Sequence, residues 1–408
     1  MAVVGASLAG ARAAEALRRE GFDGPITLIG AEPHLPYTRP PLSKQYLEGT
    51  WGRDRLELKA PAPGPGTGVD FRLGTRAVGL DVARRRVRVS GPDGAGEVGF
   101  DGLVVATGCH PRTFPGAGDL DGVFTLRTVD DCDRLKAALD GGPRVAVIGA
   151  GFIGSEVAGT CRKRGLDVTV IEALPVPLAG ALGEGMGHVL AGVHRDHGTG
   201  LRLGVGVEGF VPGPRAGDRH RVAGVRLADE SVVEADVVVV GVGVVPTTGW
   251  LDGSGLAVDN GLVCDAACFV RAEGGGPGPG FVVAAGDVAR WHNPLFGEDM
   301  RVEHWTNAVE QAEAAARNLL RGPGRAEPFA PPTYFWSDQY DVKIQYVGRA
   351  RPGDRMVLAE GSIDERRFVA VYVRGERVVA ALALNRPARI VAWQQRVASR
   401  SSWNPDLD

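Results

Sequence analysis

Val145 to Glu156 reads V-A-V-I-G-A-G-F-I-G-S-E, with Gly149, Gly151 and Gly154 in the G-x-G-x-x-G spacing by which a backbone holds a pyrophosphate. Each glycine answers a separate need. Gly149 permits a tight turn, Gly151 lets N–H groups approach the anion, and Gly154 lets a helix pack close to a strand. Phe152 and Ile153 open that helix, whose N-terminus carries the partial positive charge an anion seeks. Eighteen residues past Gly154 the next apolar run, Val168 to Ile171, ends on Glu172, where a ribose-binding acid belongs. The pattern recurs at the start of the chain as Gly5, Ala6, Ser7, Leu8, Ala9, Gly10, with Ser7 in place of the middle glycine and Glu32 as the acid. Two dinucleotide sites in one chain suit hydride transfer between two carriers, one FAD and the other a nicotinamide dinucleotide. Such a transfer needs no general acid or base, and the sequence offers no Ser-His-Asp set.

The elements that must position these residues follow from the same stretches. Val145, Val147 and Ile148 form the β-branched run of a strand buried on both faces, and Phe152 to Arg164 then carries helical spacing. Ala2 to Val4, Ala9 to Glu20 and Ile26 to Ile29 repeat strand, helix and strand. The first strand is short, which is consistent with native residues preceding Met1. Asp101 to Gly108, D-G-L-V-V-A-T-G, closes the first unit, and Ala235 to Gly243, A-D-V-V-V-V-G-V-G, closes the second. Those endings carry Ala106, Thr107 and Gly108 in the first unit and Val242 and Gly243 in the second, and the A-T-G of the first resembles part of a flavin pocket. A net charge of -3 argues against a general nucleic-acid binder. The apolar run Ala235 to Pro246 is shorter than the ~20 residues that span a bilayer, and M-A-V-V-G lacks the charged start of a signal peptide, so a cytoplasmic protein is expected. The five cysteines are scattered without a C-x-x-C, as expected of buried thiols. No metal site is expected.

Three stretches are more specific: Pro36 to Lys44, P-Y-T-R-P-P-L-S-K; Ala285 to Ala308, with A-G-D-V-A, N-P-L-F-G and R-V-E-H-W-T-N-A; and Val342 to Gly348, V-K-I-Q-Y-V-G. Through them the sequence resembles the FAD-dependent ferredoxin reductases that serve bacterial oxygenases, a branch of the pyridine-nucleotide-disulfide-oxidoreductase-like flavoproteins, from Val3 to about Ala392. That resemblance implies a reductase passing electrons from NADH through FAD to an iron–sulfur ferredoxin, with a haem-thiolate monooxygenase as the expected downstream oxygenase. It implies further that Arg39 and Lys44 sit by the flavin, that Ala77 and Val78 contact its adenine, that Thr107 and Gly108 close over the cofactor, that Asp287 binds the ribitol, and that Arg127 and Gly286 belong to the cofactor site. Glu303, His304 and Trp305 would open a helix beside the flavin pyrimidine. A disulfide reductase of the same fold would need a cysteine pair where this chain has Pro36 to Lys44. A flavin NADH oxidase or rubredoxin-type reductase would differ in its acceptor, and an NADH-sensing redox interaction protein in turning over slowly.

The expected architecture is α/β: two Rossmann-like dinucleotide-binding domains, the NAD-binding one (113–247) inserted in the FAD-binding one (1–112 and 248–325), and a small C-terminal α+β domain (326–408). Within the last, Arg367 to Val373 and Arg377 to Leu384 alternate as a hairpin. Two further expectations concern charge. Lys44 and Glu156 should form an ion pair over the flavin and serve hydride transfer as the catalytic pair. Arg386 to Arg400 holds four arginines, Arg386, Arg389, Arg396 and Arg400, and no acid. With Pro387 opening a helix, the last three would share a face with Trp393 and receive an acidic ferredoxin.

Overall fold

The computed structural model describes residues 1–58 and 68–404. The chain forms two compact units, one of Met1–Thr38, Leu56–His110 and Val245–Phe335, the other of Arg39–Arg55, Pro111–Val244 and Trp336–Asp408.

In the first unit, short β-branched runs build a parallel sheet in the order Val282–Ala284, Leu103–Val105, Ala2–Val4, Thr27–Ile29, Asp70–Arg72. Ala2 pairs with Thr27 on one side and Leu103 on the other, so the three-residue first strand is central and wholly buried. Helices Leu8–Arg19 and Trp305–Arg321 pack together, and their buried residues include the small side chains Ala9, Ala13, Ala312 and Ala316. The second helix starts at Trp305. Glu303, expected inside its first turn, precedes it, and His304 in extended backbone is its N-cap.

The second unit repeats this plan. Its parallel sheet runs Val123–Phe124, Val237–Val240, Val145–Ile148, Val168–Glu172, Gly200–Leu203, with Val145 pairing to Val168 and to Val237 as Ala2 does to its neighbours. Arg39–Arg55 belongs here because its groups are held by this unit. Tyr46 Oη donates to Asp133 Oδ1 at 2.6 Å, Cys132 Sγ to Leu42 O at 3.1 Å, and Thr160 Oγ1 to Ser43 O at 2.8 Å.

From Tyr334 the chain forms another five-stranded sheet in the order Tyr334–Gln339, Val342–Gly348, Arg377–Leu384, Arg367–Arg374, Arg355–Ser362. The expected hairpin is present, Arg374 opposite Arg377 and Phe368 opposite Leu384. The last helix differs from expectation. Pro387 does not open it: a turn first closes from Arg389 N–H to Arg386 O, and the helix runs Ile390–Ala398. Arg400 lies beyond it with φ +57, where the chain turns to pair Ser402 with Arg377, so helical spacing does not carry Arg400 onto the face of Arg396. Among the described residues no helix is long and apolar enough to cross a membrane.

Candidate functional site

Each parallel sheet ends in the same tight turn. Gly5 has φ +116, and a Cβ there would stand 2.1 Å from Ala106 O; Gly149 has φ +96, and its Cβ would stand 2.5 Å from Gly241 O. Gly10 and Gly154 repeat the match, their added Cβ atoms falling 1.8 Å from Gly5 O and 2.0 Å from Gly149 O. The first glycine of each turn therefore lies against the neighbouring strand's end, and the third lets the helix backbone touch the turn. At Gly151 a Cβ would meet nothing within 4 Å, leaving that face open to an approaching group. Neither following helix has an acid in its first turn to oppose an anion.

In the first unit a third element closes on the turn. Gly286, with φ +76, follows Val282–Ala284, and a Cβ on it would be 3.0 Å from Ala9 Cβ and 3.7 Å from Ala308 Cβ. Its N–H donates to buried Gln311 Oε1 at 2.9 Å. Asp287 follows, accepting the Cys109 thiol at 3.2 Å, while its carbonyl accepts Arg301 Nη1 at 3.1 Å. Arg301 also pairs with Glu303 at 2.6 Å, and the His304 ring lies 4.9 Å from Phe335. Thr107 Oγ1 donates to Thr247 O at 2.8 Å, and Thr247 N–H to Gly108 O at 3.0 Å. Ser7 is the N-cap residue of Leu8–Arg19. Glu32 accepts the Tyr37 hydroxyl, and Val78, in the strand Arg76–Asp81 beside Ala77, is half exposed.

In the second unit Glu172 ends its strand and grips the turn: Ala150 N–H donates to Oε2 at 2.7 Å, and Leu174 N–H to Oε1 at 2.9 Å. Ile153, Leu174 and Val242 are exposed apolar side chains just past the carboxyl ends of three adjacent strands, the side on which such sheets take ligands. Gly243 has φ +92. Arg39 Nη1 donates to Arg127 O at 2.6 Å, joining two of the expected flavin residues.

Lys44 and Glu156 do form an ion pair, Nζ to Oε2 at 2.7 Å, with both side chains almost wholly enclosed. Glu156 accepts two more donors, Ser43 Oγ at 2.5 Å on Oε2 and Ser337 Oγ at 2.8 Å on Oε1. Neither serine is assigned to Glu156 from the sequence alone. The available signal was the strand period, which puts Ser337 and Gln339, both polar, on one face of Tyr334–Gln339.

All five cysteines are buried. Burial pushes the Cys132 and Cys161 thiols up to about 12, so they stay protonated and offer no thiolate for dithiol chemistry. Among the described residues no cluster of His, Cys, Asp and Glu could hold a metal ion. At the C-terminal end Arg389 Nε pairs with Glu360 at 2.8 Å, and the Arg396 guanidinium lies 4.8 Å over buried Trp393.

Residues 1–312 match the family described as pyridine nucleotide-disulphide oxidoreductase, and residues 334–407 the one described as reductase C-terminal. The chain is 36% identical over 405 residues to rhodocoxin reductase of Rhodococcus erythropolis, covering 99% of this chain and 90% of that protein. It is 37% identical over 407 residues to the ferredoxin–NAD(+) reductase component of the anthranilate 1,2-dioxygenase system of Burkholderia cepacia, covering 99% and 95%. Among solved structures, the covalent putidaredoxin reductase–putidaredoxin complex matches with a TM-score of 0.90 at 32% identity, covering 100% of this chain and 94% of that one.

Proposed function

The chain belongs to the pyridine nucleotide-disulphide oxidoreductase family and carries its reductase C-terminal domain; it is an FAD-dependent oxidoreductase, and we propose that it takes electrons from NADH and delivers them to an iron–sulfur ferredoxin feeding an oxygenase. The observation that supports this most directly is the duplicated turn, in which Gly5 and Gly149, then Gly10 and Gly154, make the same close approach to backbone in two like sheets.

On this reading the first turn, with Ser7, Leu8 and Ala9 at its helix start, holds the pyrophosphate of FAD, and Gly286 and Asp287 its ribitol. Bound FAD supplies the conversion of a two-electron hydride into single electrons. The second turn holds NADH, Glu172 meeting its ribose and Ile153, Leu174 and Val242 supplying apolar surface to its rings. Lys44, fixed by Glu156, places a positive charge where the rings react. These roles fit an FAD-binding part formed by 1–112 with 248–325, less Arg39–Arg55, which groups with the NAD-binding part of 113–247, and a C-terminal part that receives the partner. The partner is an acidic ferredoxin, guided by Arg396 with Arg386, Arg389 and Arg400 around the last helix. Buried, scattered cysteines and NADH chemistry suit the cytoplasm.

Anaerobic NADH titration of the purified yellow protein tests the function. One equivalent should bleach the flavin, and ferredoxin added with cytochrome c should then restore the yellow colour and turn over. Bleaching with no electron transfer to ferredoxin, and rapid reoxidation by air alone, would make the protein an oxidase instead.

A further inference from the structure

Ser337 and Gln339 are 0% and 1% exposed, on the same face of Tyr334–Gln339. Two uncharged polar side chains buried side by side cost stability unless they answer another buried group. The group here is Glu156, 3% exposed. Its two oxygens are held from different segments: Oε2 by Ser43 and Lys44 at the end of the short helix Pro40–Ser43 and, among the described residues, Oε1 by Ser337. Gln339 Nε2 donates to Ser337 Oγ at 3.2 Å. A hydroxyl has one proton, so the serine that accepts from the amide is left to give its proton to the carboxylate. The chain of donors thus runs from Gln339 through Ser337 to the Glu156 carboxylate, which accepts the Lys44 ammonium on its other oxygen.

We propose that Ser337 is a positioning residue for hydride transfer: by donating to Glu156 Oε1 it fixes the plane of the carboxylate and so the place of the Lys44 charge. This rests on the reading of Lys44 given above. Without the Ser337 hydroxyl the carboxylate keeps partners on one oxygen only, and it can turn about its last bond, taking the ammonium with it. The test is anaerobic stopped-flow reduction of the holoenzyme by NADH, resolving the limiting rate from the apparent Kd. Ser337→Ala should lower the limiting rate about tenfold, the size of one lost hydrogen bond to a charged group, with the Kd for NADH within twofold of wild type. Ser337→Thr, which keeps the hydroxyl, should restore most of the rate. In a Lys44→Met background Ser337→Ala should slow reduction no further, because its effect passes through Lys44. Thermal unfolding gives a readout apart from activity: Ser337→Ala and Glu156→Gln should be non-additive in the double variant. If Ser337→Ala does not fold, Gln339→Leu, which frees the serine proton from its orienting amide, should still slow reduction about threefold. Lys44→Met reducing at the wild-type rate would overturn the reading beneath the proposal. Lys44→Met slow with Ser337→Ala or Gln339→Leu fast, or a rate loss that multiplies through the double variant, would overturn the proposal itself.

Discussion

Both oxygens of Glu172 hold backbone N–H groups, those of Ala150 and Leu174, so the residue shapes the turn as well as facing outward from its strand end. On the proposed reading a fixed carboxylate there would accept ribose hydroxyls and repel a 2′-phosphate, and the following Ala173, Leu174 and Pro175 supply no cation to offset that repulsion. NADH should therefore exceed NADPH in kcat/KM by roughly tenfold or more, a difference of about 1.4 kcal/mol per decade. Steady-state kinetics with the two coenzymes checks this, and equal values would remove Glu172 from the role. The place of Glu172 was visible in the sequence because spacing along one βαβ unit is local information. Lys44 was legible as a partner of Glu156, but Ser337 was not, because it lies far along the chain and only the fold brings its hydroxyl to that carboxylate.

The turn-forming glycines act on whole elements, since each lets a helix start within touching distance of a strand. In Gly10→Ala and Gly154→Ala the new methyl would meet backbone oxygen at 1.8 and 2.0 Å, atoms that cannot move without shifting the turn. Each should cost about 1–3 kcal/mol, but with different losses: Gly10→Ala should purify with little flavin, and Gly154→Ala should stay yellow and reduce slowly with a raised Kd for NADH. Flavin content by absorbance and stopped-flow reduction separate the two. Helix Glu184–Asp196 offers a pH test. Its His194 is 1% exposed with Nδ1 2.7 Å from Tyr340 Oη, and burial, with the nearby His197 and Arg195 charges, lowers its pKa to about 4. The unfolded chain binds that proton near pH 6.5, so the stabilisation is complete above 6.5 and is lost progressively as pH falls to about 4, by at most about 3 kcal/mol. Urea midpoints at pH 7.5 and 4.5 should therefore differ more in wild type than in His194→Gln; an equal difference would exclude the histidine. Strand and helix periods made these elements readable, and the hairpin of Arg367–Arg374 with Arg377–Leu384 appears where alternation put it. The start of the last helix was misread because Pro387 suits a turn as well as a first helical position, and here the Arg386–Arg389 turn prevails.

For the molecule as a whole, a net charge of -3 gives no general attraction to an acidic partner, so any steering must be local. Arg396→Glu should lower kcat/KM for ferredoxin reduction several-fold at low salt and flatten its dependence on ionic strength, while ferricyanide reduction by NADH, which needs no docking face, keeps its rate. Salt dependence that is the same in variant and wild type would place docking elsewhere. The segment Arg39–Arg55 shows the limit of reading organisation from sequence: it follows the first βαβ unit directly, yet its backbone carbonyls and Tyr46 are bound by groups of the second. One consequence of the strand order concerns synthesis. The second sheet draws its strands from one continuous stretch, Val123 to Val240, and can close as soon as that stretch leaves the ribosome. The first sheet cannot. Leu103–Val105 emerges early, but its outer neighbour Val282–Ala284 follows about 180 residues later, roughly 10–35 s at the usual pace of translation. Through that interval a nascent chain carries an apolar strand with an unpaired edge, the kind of surface that recruits other strands, so chains arrested before Val282 should be captured by chaperones while chains released after it should not.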